Sequence, residues 1–128
     1  MKIRDYLSSI GQQPVTCLPT DSAQAAAQQM AEANIGAMPV LSSEGKLVGM
    51  ISERDLANAF ARTGAKIADL AVADMLTKSV LFMGPDAGLD DAYHIMRAHN
   101  FRHVPILESG RVIGMISIRD VLEEYAER

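Results

Sequence analysis

The sequence predicts a mixed α/β (α+β) fold built from two copies of one strand–helix–strand–strand–helix unit. A seven-residue motif, the repeated phrase, occurs twice, as GMISERD at residues 49–55 and as GMISIRD at residues 114–120. Paired residues also keep a constant separation of 66 positions over a long ungapped stretch, as in Pro39 with Pro105 and Met30 with Met96. In addition, the hydrophobic spacing changes between helical and strand-like in the same order in each half. Duplication of one unit is the simplest explanation.

Each copy is predicted to open with a short strand and an amphipathic helix. The segments PVTCLP and SVLFMGP supply the strands, and each ends in a proline just before its helix. Apolar residues at helical spacing follow in both copies: Ala23, Ala26, Ala27 and Met30 in the first, and Leu89, Ala92 and Met96 in the second.

A β-hairpin and a second helix complete each copy. Runs rich in Val, Ile and Leu flank a glycine-containing turn, which is typical of a hairpin. The second copy has one residue fewer before the glycine, so that Gly45 pairs with Gly110, and a turn tolerates such a deletion. The last helices are predicted to begin at Ser52 and Ser117, whose hydroxyls can cap free backbone amides.

The repeat divides the chain into four segments. The link between the copies has no Ser/Gly-rich spacer, and roughly 60 residues alone would bury too small a fraction of their surface, so the copies are expected to fold together. The predicted segments are an N-terminal helical extension (1–13), the first repeat (14–62), a linker (63–77) and the second repeat (78–128).

Composition excludes several classes of protein. A net charge of −4, with three Tyr, three Phe and no Trp, offers neither a basic surface nor a stacking platform for nucleic acid. The single Cys17 cannot form an intramolecular disulfide, and MKIRDYLSSIG lacks the apolar run of a signal peptide or membrane span. We therefore expect a cytoplasmic protein that binds neither nucleic acid nor membrane.

The order of elements, the hairpin VPILESGRVIGMIS and the RD that follows it resemble the CBS domain, named for cystathionine β-synthase. A tandem pair of these domains is called a Bateman module, and this chain is similar to the small stand-alone CBS-pair proteins of bacteria and archaea. The resemblance extends from about Pro14 to Leu122. It implies two intertwined repeats in one pseudo-twofold module, whose two clefts bind AMP, ADP, ATP or S-adenosylmethionine as regulatory ligands, with no obligatory cofactor.

The resemblance also implies the site residues. The family pattern of glycine, apolar, any residue, Ser/Thr, two residues and Asp falls on both repeated phrases, which makes Asp55 and Asp120 the candidates for binding ribose hydroxyls. Charge-assisted hydrogen bonds of that kind contribute about 1.5 to 3 kcal/mol each. Phosphate or ribose oxygens are expected at Ser52, Arg54, Ser117 and Arg119. The residues implied for adenine are Val15, Thr16, Val80 and Leu81, with help from Met38, Pro39, Val104 and Pro105.

A structural interpretation of the same residues stays open at this point. Ser with Asp three positions later is an ordinary helix cap, a strand glycine can serve only close packing, and a helical Arg is usually solvated. The presence of the pattern in both copies favours ligand binding in at least one cleft.

The two copies differ just before their central prolines. Arg102 aligns with Gly36, and His103 aligns with Ala37, so one copy has cations where the other has none. We therefore expect the second repeat to prefer the more highly phosphorylated ligand.

Neither a metal site nor a catalytic site is predicted. His94 and His99 are five positions apart on a predicted helix and so point in different directions, and no cysteine pair or close carboxylate completes a tetrahedral set with His103. Cys17 has no identifiable base, and no Ser lies in a nucleophile elbow.

The predicted function is a homodimeric ligand-sensing module that signals to a partner protein in trans. The homodimer is expected because 48% of the residues are hydrophobic and several helices have more than one apolar side. The alternative is an assembly or adaptor protein whose clefts are empty and which acts through protein–protein contacts. An enzyme is the least favoured interpretation.

Overall fold

The computed structural model describes residues 1–11 and 13–126, and it has the mixed α/β fold that the sequence predicts. Two 3₁₀ turns, Gly64–Asp69 and Val72–Asp74, follow the third helix. None of the helices in these ranges is long and apolar enough to cross a lipid bilayer. The helices are α1 (Ile3–Ile10), α2 (Ala23–Ala33), α3 (Glu53–Thr63), α4 (Leu89–His99) and α5 (Ile118–Ala126), and the strands are β1 (Ala37–Leu41), β2 (Leu47–Ser52), β3 (His103–Glu108) and β4 (Arg111–Ser117).

The chain forms two compact units. Residues Val15–Val80 make the first-repeat unit, and Met1–Pro14 combine with the residues from Leu81 onward to make the second-repeat unit. The N-terminal helix α1 therefore belongs to the same unit as the second repeat. Its Ile3 amide donates to the Ala87 carbonyl at 2.9 Å, and its Arg4 amide donates to the Pro85 carbonyl at 2.8 Å.

Each unit contains one antiparallel hairpin, β1–β2 or β3–β4. Pro39 pairs with Met50 in the first and Pro105 with Met115 in the second, so the two hairpins share the register expected of a duplication. Both turns use a glycine with positive φ, 82° and 79°, a conformation that other residues adopt only with strain.

The leading strands are shorter than the sequence predicts. Cys17 makes one parallel bridge to β1, donating its amide to the Pro39 carbonyl at 3.1 Å and accepting from the Leu41 amide at 2.9 Å. Met83 makes the equivalent contacts with β3 at 3.1 and 2.9 Å. The proline that closes each segment has no N–H to extend the ladder, so pairing stops after one residue.

Each unit has its own apolar core. In the first-repeat unit, residues of α2, β1 and β2 pack with Val72 of the second 3₁₀ turn. In the second-repeat unit, Ile3 and Tyr6 of α1 pack with residues of α4, β3, β4 and α5. The N-terminal helix thus contributes to the interior of the second-repeat unit.

The glycines of the repeated phrase allow close packing against each hairpin. A Cβ on Gly49 would lie 2.5 Å from the Thr77 carbonyl oxygen and 2.6 Å from Leu76 Cδ1. A Cβ on Gly114 would lie 2.7 Å from Leu7 Cδ2, on α1. The packing interpretation of these two glycines is therefore the one that their surroundings support.

Candidate ligand-binding site

The rest of the repeated phrase forms the junction between a strand and a helix. The Ser52 amide donates to Asp55 Oδ2 at 2.9 Å, and the Asp55 amide donates to Ser52 Oγ at 3.2 Å. Ser117 and Asp120 make the same reciprocal pair at 2.9 and 3.0 Å. This capping box satisfies amides at the beginning of each helix, and it fixes the orientation of both carboxylates.

The remaining carboxylate oxygens differ between the two junctions. Asp55 Oδ1 accepts a hydrogen bond from Thr77 Oγ1 at 3.3 Å. Asp120 Oδ1 has no corresponding hydrogen bond within residues 1–11 and 13–126. With respect to the described residues, the Asp120 carboxylate therefore has one oxygen that could accept from a ligand hydroxyl.

A backbone hydrogen bond connects the start of β3 with the start of α5. The Ile118 amide donates to the Arg102 carbonyl at 3.0 Å, and in the first-repeat unit the Glu53 amide donates to the Gly36 carbonyl at 2.9 Å. This contact holds Arg102 beside the capping box of Ser117. It explains how residues 15 positions apart come to share one site.

A pocket of about 290 Å³ opens at this junction in the second-repeat unit. Four residues that the sequence predicts for the ligand meet in its wall, namely Arg102, His103, Ser117 and Arg119. Four further lining residues were not predicted: Tyr93, Arg97, Ile118 and Leu122. The i, i+4 spacing of Tyr93 and Arg97 on a helix is the sequence signal that could have identified the first two.

Tyr93 contacts the arginine that α4 contributes to this pocket. Arg97 Nη1 donates to the Tyr93 hydroxyl at 3.2 Å, and the guanidinium carbon lies 5.9 Å from the centroid of the same ring. The tyrosine ring also packs edge-on against His94, with centroids 5.7 Å apart. Arg97 is exposed, and this contact with Tyr93 lies at the solvent-facing edge of the pocket.

The residues predicted near adenine have two kinds of environment. Met38, Pro39, Val104 and Pro105 are buried in their own hairpins, with Met38 at 0% and Val104 at 1% exposure. The four residues of the leading segments are partly or largely exposed: Val15, Thr16, Val80 and Leu81. In the first-repeat unit, Arg54 is exposed, and Ser52 and Asp55 are partly buried.

The structure can be examined for two other kinds of site, a metal site and a catalytic cysteine. Within the described ranges, no three His, Cys, Asp or Glu side chains are grouped as metal ligands would be, and His94 and His99 are exposed. Burial, with a smaller contribution from Asp21, raises the pKa of the Cys17 thiol to about 11. This thiol is therefore protonated at neutral pH, unlike a catalytic cysteine, whose pKa is lowered.

Comparison with known proteins places this architecture among CBS domains. The family model for the CBS domain matches residues 3–62 and 72–127. The crystal structure of a CBS-domain-containing protein from Agrobacterium tumefaciens is 35% identical with a TM-score of 0.91, and the match covers 98% of this chain and 99% of that one.

One further relative was crystallised with ligands, and another is longer than the region that matches this chain. The CBS domain pair of protein MJ0100, crystallised with 5′-methylthioadenosine and S-adenosyl-L-methionine, is 26% identical with a TM-score of 0.88, covering 99% of this chain and 97% of that one. An uncharacterized 17.7 kDa protein from Acidianus ambivalens is 38% identical over 97 residues, or 75% of this chain. The matched region spans 57% of the length of that relative.

Proposed function

This chain belongs to the CBS domain family, and from that premise we propose that it is a regulatory module that binds an adenosine-containing ligand. The observation that carries the proposal is the junction between β4 and α5. There the Asp120 carboxylate is oriented by its capping box, and its Oδ1 accepts no hydrogen bond from the described residues. Asp120 also lies in the same helical turn as a pocket residue, Arg119. A carboxylate accepts hydrogen bonds from a ribose diol, and neighbouring arginines suit phosphate.

The adenosyl part of the ligand is supported by a relative. The CBS domain pair of MJ0100 was crystallised with two adenosyl compounds. We extend this ligand class to the present chain, and assign ribose to Asp120 in the second repeat and to Asp55 in the first. The adenine-binding role of the leading segments and of the residues around the central prolines is part of the same proposal.

Regulation is proposed to require no catalysis by this chain. A ligand that binds one arrangement of the module more tightly than another shifts the population towards it, and a partner protein can detect that shift. The proposal includes a homodimer and a cytoplasmic location, so that the ligand and the partner meet the module in the same compartment.

An adaptor function is the second candidate, and exposed apolar side chains favour it. Phe60 on α3 is 59% exposed, and Leu122 on α5 is 52% exposed. Large apolar side chains on the outer surface of a helix are suited to protein contacts. In this case the module would act through those contacts without a ligand.

Ligand-induced stabilisation distinguishes the ligand-binding regulatory function from the adaptor function. Thermal unfolding would be measured with AMP, ADP, ATP, S-adenosylmethionine, 5′-methylthioadenosine and NAD, because a ligand that binds only the native state raises the Tm. We expect at least one adenosyl compound to do so. No shift with any of them, confirmed by calorimetry, would favour the adaptor function.

Asp120→Asn tests the assignment of ribose to Asp120, because it removes the charge of the carboxylate and changes little else. Asparagine retains an oxygen that can accept from the Ser117 amide, so the helix cap is kept while the charge is lost. We expect weaker ligand binding with little change in the Tm of the free protein. Asp90→Asn, which alters an exposed carboxylate on α4, is the control. Unchanged affinity in Asp120→Asn would remove the ribose assignment.

A further inference from the structure

The segment that precedes each leading strand also occurs twice. Residues 1–8, MKIRDYLS, align without a gap with residues 70–77, LAVADMLT, at a separation of 69 positions. The duplication therefore extends to α1 and to the second 3₁₀ turn. Identical or similar residues occupy four of the aligned positions: Ile3 and Val72, Asp5 and Asp74, Leu7 and Leu76, and Ser8 and Thr77.

The two segments begin with the same contacts, each within its own unit. Leu7 and Leu76 both place a Cδ atom within 2.6 to 2.7 Å of the point where a Cβ on Gly114 or Gly49 would lie. The segments are therefore equivalent in structure as far as these leucines. Equivalent amide hydrogen bonds of 2.8 to 2.9 Å run from Ile3 to Ala87 and from Arg4 to Pro85 in the second-repeat unit, and from Val72 to Asp21 and from Ala73 to Pro19 in the first-repeat unit.

The two segments diverge at the next residue. The Thr77 amide donates to the Met50 carbonyl at 2.8 Å and its carbonyl accepts from the Met50 amide at 2.9 Å, so Thr77 pairs with the edge of β2. Ser8, at the equivalent position, remains in α1, which ends at Ile10. Met115 is the equivalent of Met50, and it makes no such bridge within residues 1–11 and 13–126. One position of the repeat thus has two conformations in the two copies.

The edge of β4 can accept the same pairing. Backbone groups in an antiparallel pair of strands point alternately towards the partner strand and away from it. Met115 is opposite Pro105, which has no N–H and whose carbonyl accepts from the leading segment, so the Met115 amide and carbonyl face away from β3. Because Leu7 contacts the neighbouring Gly114, the residue after it, Ser8, is close to this edge.

The last turn of α1 is only weakly held in its helical conformation. Ser8, Ser9 and Ile10 are all exposed, and serine is a poorer helix former than alanine or leucine. By contrast, the first turns are fixed by Ile3 and Tyr6, which are buried in the core of the unit. Exposed hydrogen bonds at a helix end open readily, and here their loss is offset by new bonds to the edge of β4.

We infer that the last turn of α1 is a two-state element whose extended state closes the ligand site of the second repeat. In the extended state, Ser8 pairs with Met115. Its hydroxyl then donates to Asp120, as the Thr77 hydroxyl donates to Asp55 Oδ1 at 3.3 Å in the first-repeat unit. The helical state is the one that binds ligand, so a ligand shifts the population towards it. The closing effect rests on the proposed ribose role of Asp120, whereas the bridge to Met115 does not.

Ser9→Pro tests the bridge without a ligand. Proline at position 9 removes a helix donor and disfavours the helical conformation of the residue before it, Ser8. We expect the Met115 amide, followed by NMR, to exchange about 10-fold more slowly than in the parent, because a bonded amide exchanges only when its hydrogen bond opens. Ser8→Thr is a milder second variant, since β-branched threonine favours extended backbone, and it should slow the exchange to a smaller extent.

Lys78→Pro is the matched control. Lys78 is exposed and follows Thr77, which is already paired with β2, so proline there should leave the exchange of Met115 unchanged. Circular dichroism and the Tm establish that each variant is folded, and Ser8→Thr decides the question if Ser9→Pro is not. Exchange of Met115 at the parent rate in the folded Ser9 or Ser8 variant, or equal slowing by Lys78→Pro, would overturn the bridge.

Closure of the site is tested by calorimetry with 5′-methylthioadenosine, which has a ribose diol and no phosphate. We expect Ser9→Pro to weaken its binding about 10-fold, the effect of competition with a hydrogen bond to a charged group. Adding Ser8→Ala should restore most of the affinity, because the extended turn then has no hydroxyl for Asp120.

The two measurements distinguish this inference from the proposed function. If 5′-methylthioadenosine does not bind the parent protein, the proposed function loses this ligand, while slower exchange of Met115 in Ser9→Pro still supports the bridge. If the compound binds the parent and Ser9→Pro equally although the exchange is slowed, the bridge stands and closure of the site is wrong. Weakened binding that Ser8→Ala does not restore would also overturn closure by the Ser8 hydroxyl.

Discussion

The hydroxyl of Thr77 donates a hydrogen bond to Asp55 Oδ1 at 3.3 Å, within the first-repeat unit. The other carboxylate oxygen of Asp55 accepts from the Ser52 amide and hydroxyl, at 2.9 and 3.1 Å. A ribose hydroxyl at Asp55 would therefore compete with Thr77, whereas at Asp120 it would find Oδ1 without this competitor.

Removal of the Thr77 hydroxyl should strengthen ligand binding by the first repeat. In Thr77→Val, Asp55 Oδ1 loses its protein donor, so a ribose hydroxyl no longer has to displace it. Calorimetry with the best adenosyl ligand should show that the weaker of two binding events gains several-fold in affinity while the tighter event is unchanged. Thr20→Val is the control, since Thr20 is an exposed turn residue. A gain of equal size in the control would contradict this assignment.

The two repeated glycines should respond differently to alanine. Gly49→Ala would press its Cβ against the Thr77 backbone, which cannot easily shift, whereas Gly114→Ala would meet the end of the flexible Leu7 side chain. Overpacking costs about 1 to 3 kcal/mol, and we expect Gly49→Ala to have the larger effect on the free energy of unfolding in urea. Leu7→Ala combined with Gly114→Ala should recover part of the loss attributed to the clash. Strict additivity of the two changes would argue against direct contact.

The ion pairs of Arg4 should make stability depend on pH. Arg4 Nε lies 3.1 Å from Asp86 Oδ1, and Arg4 also donates to Glu108, so α1 is paired with two carboxylates of its own unit. The hydrogen bond from Arg4, with its positive charge, lowers the pKa of Asp86. Because the pKa of Asp86 is lower in the folded protein, the ion pair contributes stability that is complete above the carboxyl pKa of the unfolded chain, about 3.9. This stability is lost as the pH falls through the pKa of Asp86 in the folded protein.

Asp86→Asn should therefore be less stable than the parent at pH 6 to 8, and the two proteins should converge as the pH falls below about 4. Urea unfolding at a series of pH values measures this difference. Asp90→Asn is the control, because Asp90 is exposed on α4 and is not paired with Arg4. A difference that persists unchanged at pH 3 would mean that the Asp86 charge is not its source.

The homodimer stays a prediction, with Phe60 as its test. Because Phe60 is 59% exposed on α3, its burial in an interface between copies would be favourable, by about 1.5 to 3 kcal/mol for a fully covered side chain. Analytical ultracentrifugation at micromolar concentration should show a dimer for the parent and a shift towards monomer for Phe60→Ser. Leu18→Ser, at a 43% exposed residue outside the helices, should leave the dimer intact. A monomeric parent protein would contradict the prediction.

Much of the fold could be predicted from local patterns. The duplicated phrase, the hydrophobic periods and the glycine turns predicted both hairpins, and the structure confirms them with Gly45 and Gly110 at positive φ. Serine followed by aspartate three residues later predicted the helix starts at Ser52 and Ser117. These signals are reliable because a cap, a turn or an amphipathic helix depends mainly on residues a few positions apart.

The candidate site was predictable only in part. Arg102, His103, Ser117 and Arg119 could be identified by family resemblance and by comparing the two copies, and they meet in one pocket. Tyr93 and Arg97 were missed because they lie in the first helix of the repeat, outside the repeated phrase. Their place in the pocket depends on how α4 packs against β3 and α5, which no short stretch of sequence specifies.

The sequence by itself determined the duplicated unit, its helix caps, its turns and the difference in charge between its two halves. The tertiary structure alone decided that α1 packs with the second repeat and that the leading segments pair through one residue. It also decided that Thr77 donates to Asp55, whereas Asp120 Oδ1 has no such donor within the described chain. The physical reason is the separation along the chain between the residues that interact. Capping and turn formation are local, whereas burial of Ile3 and the contact between Thr77 and Asp55 depend on packing between segments that are distant in the chain.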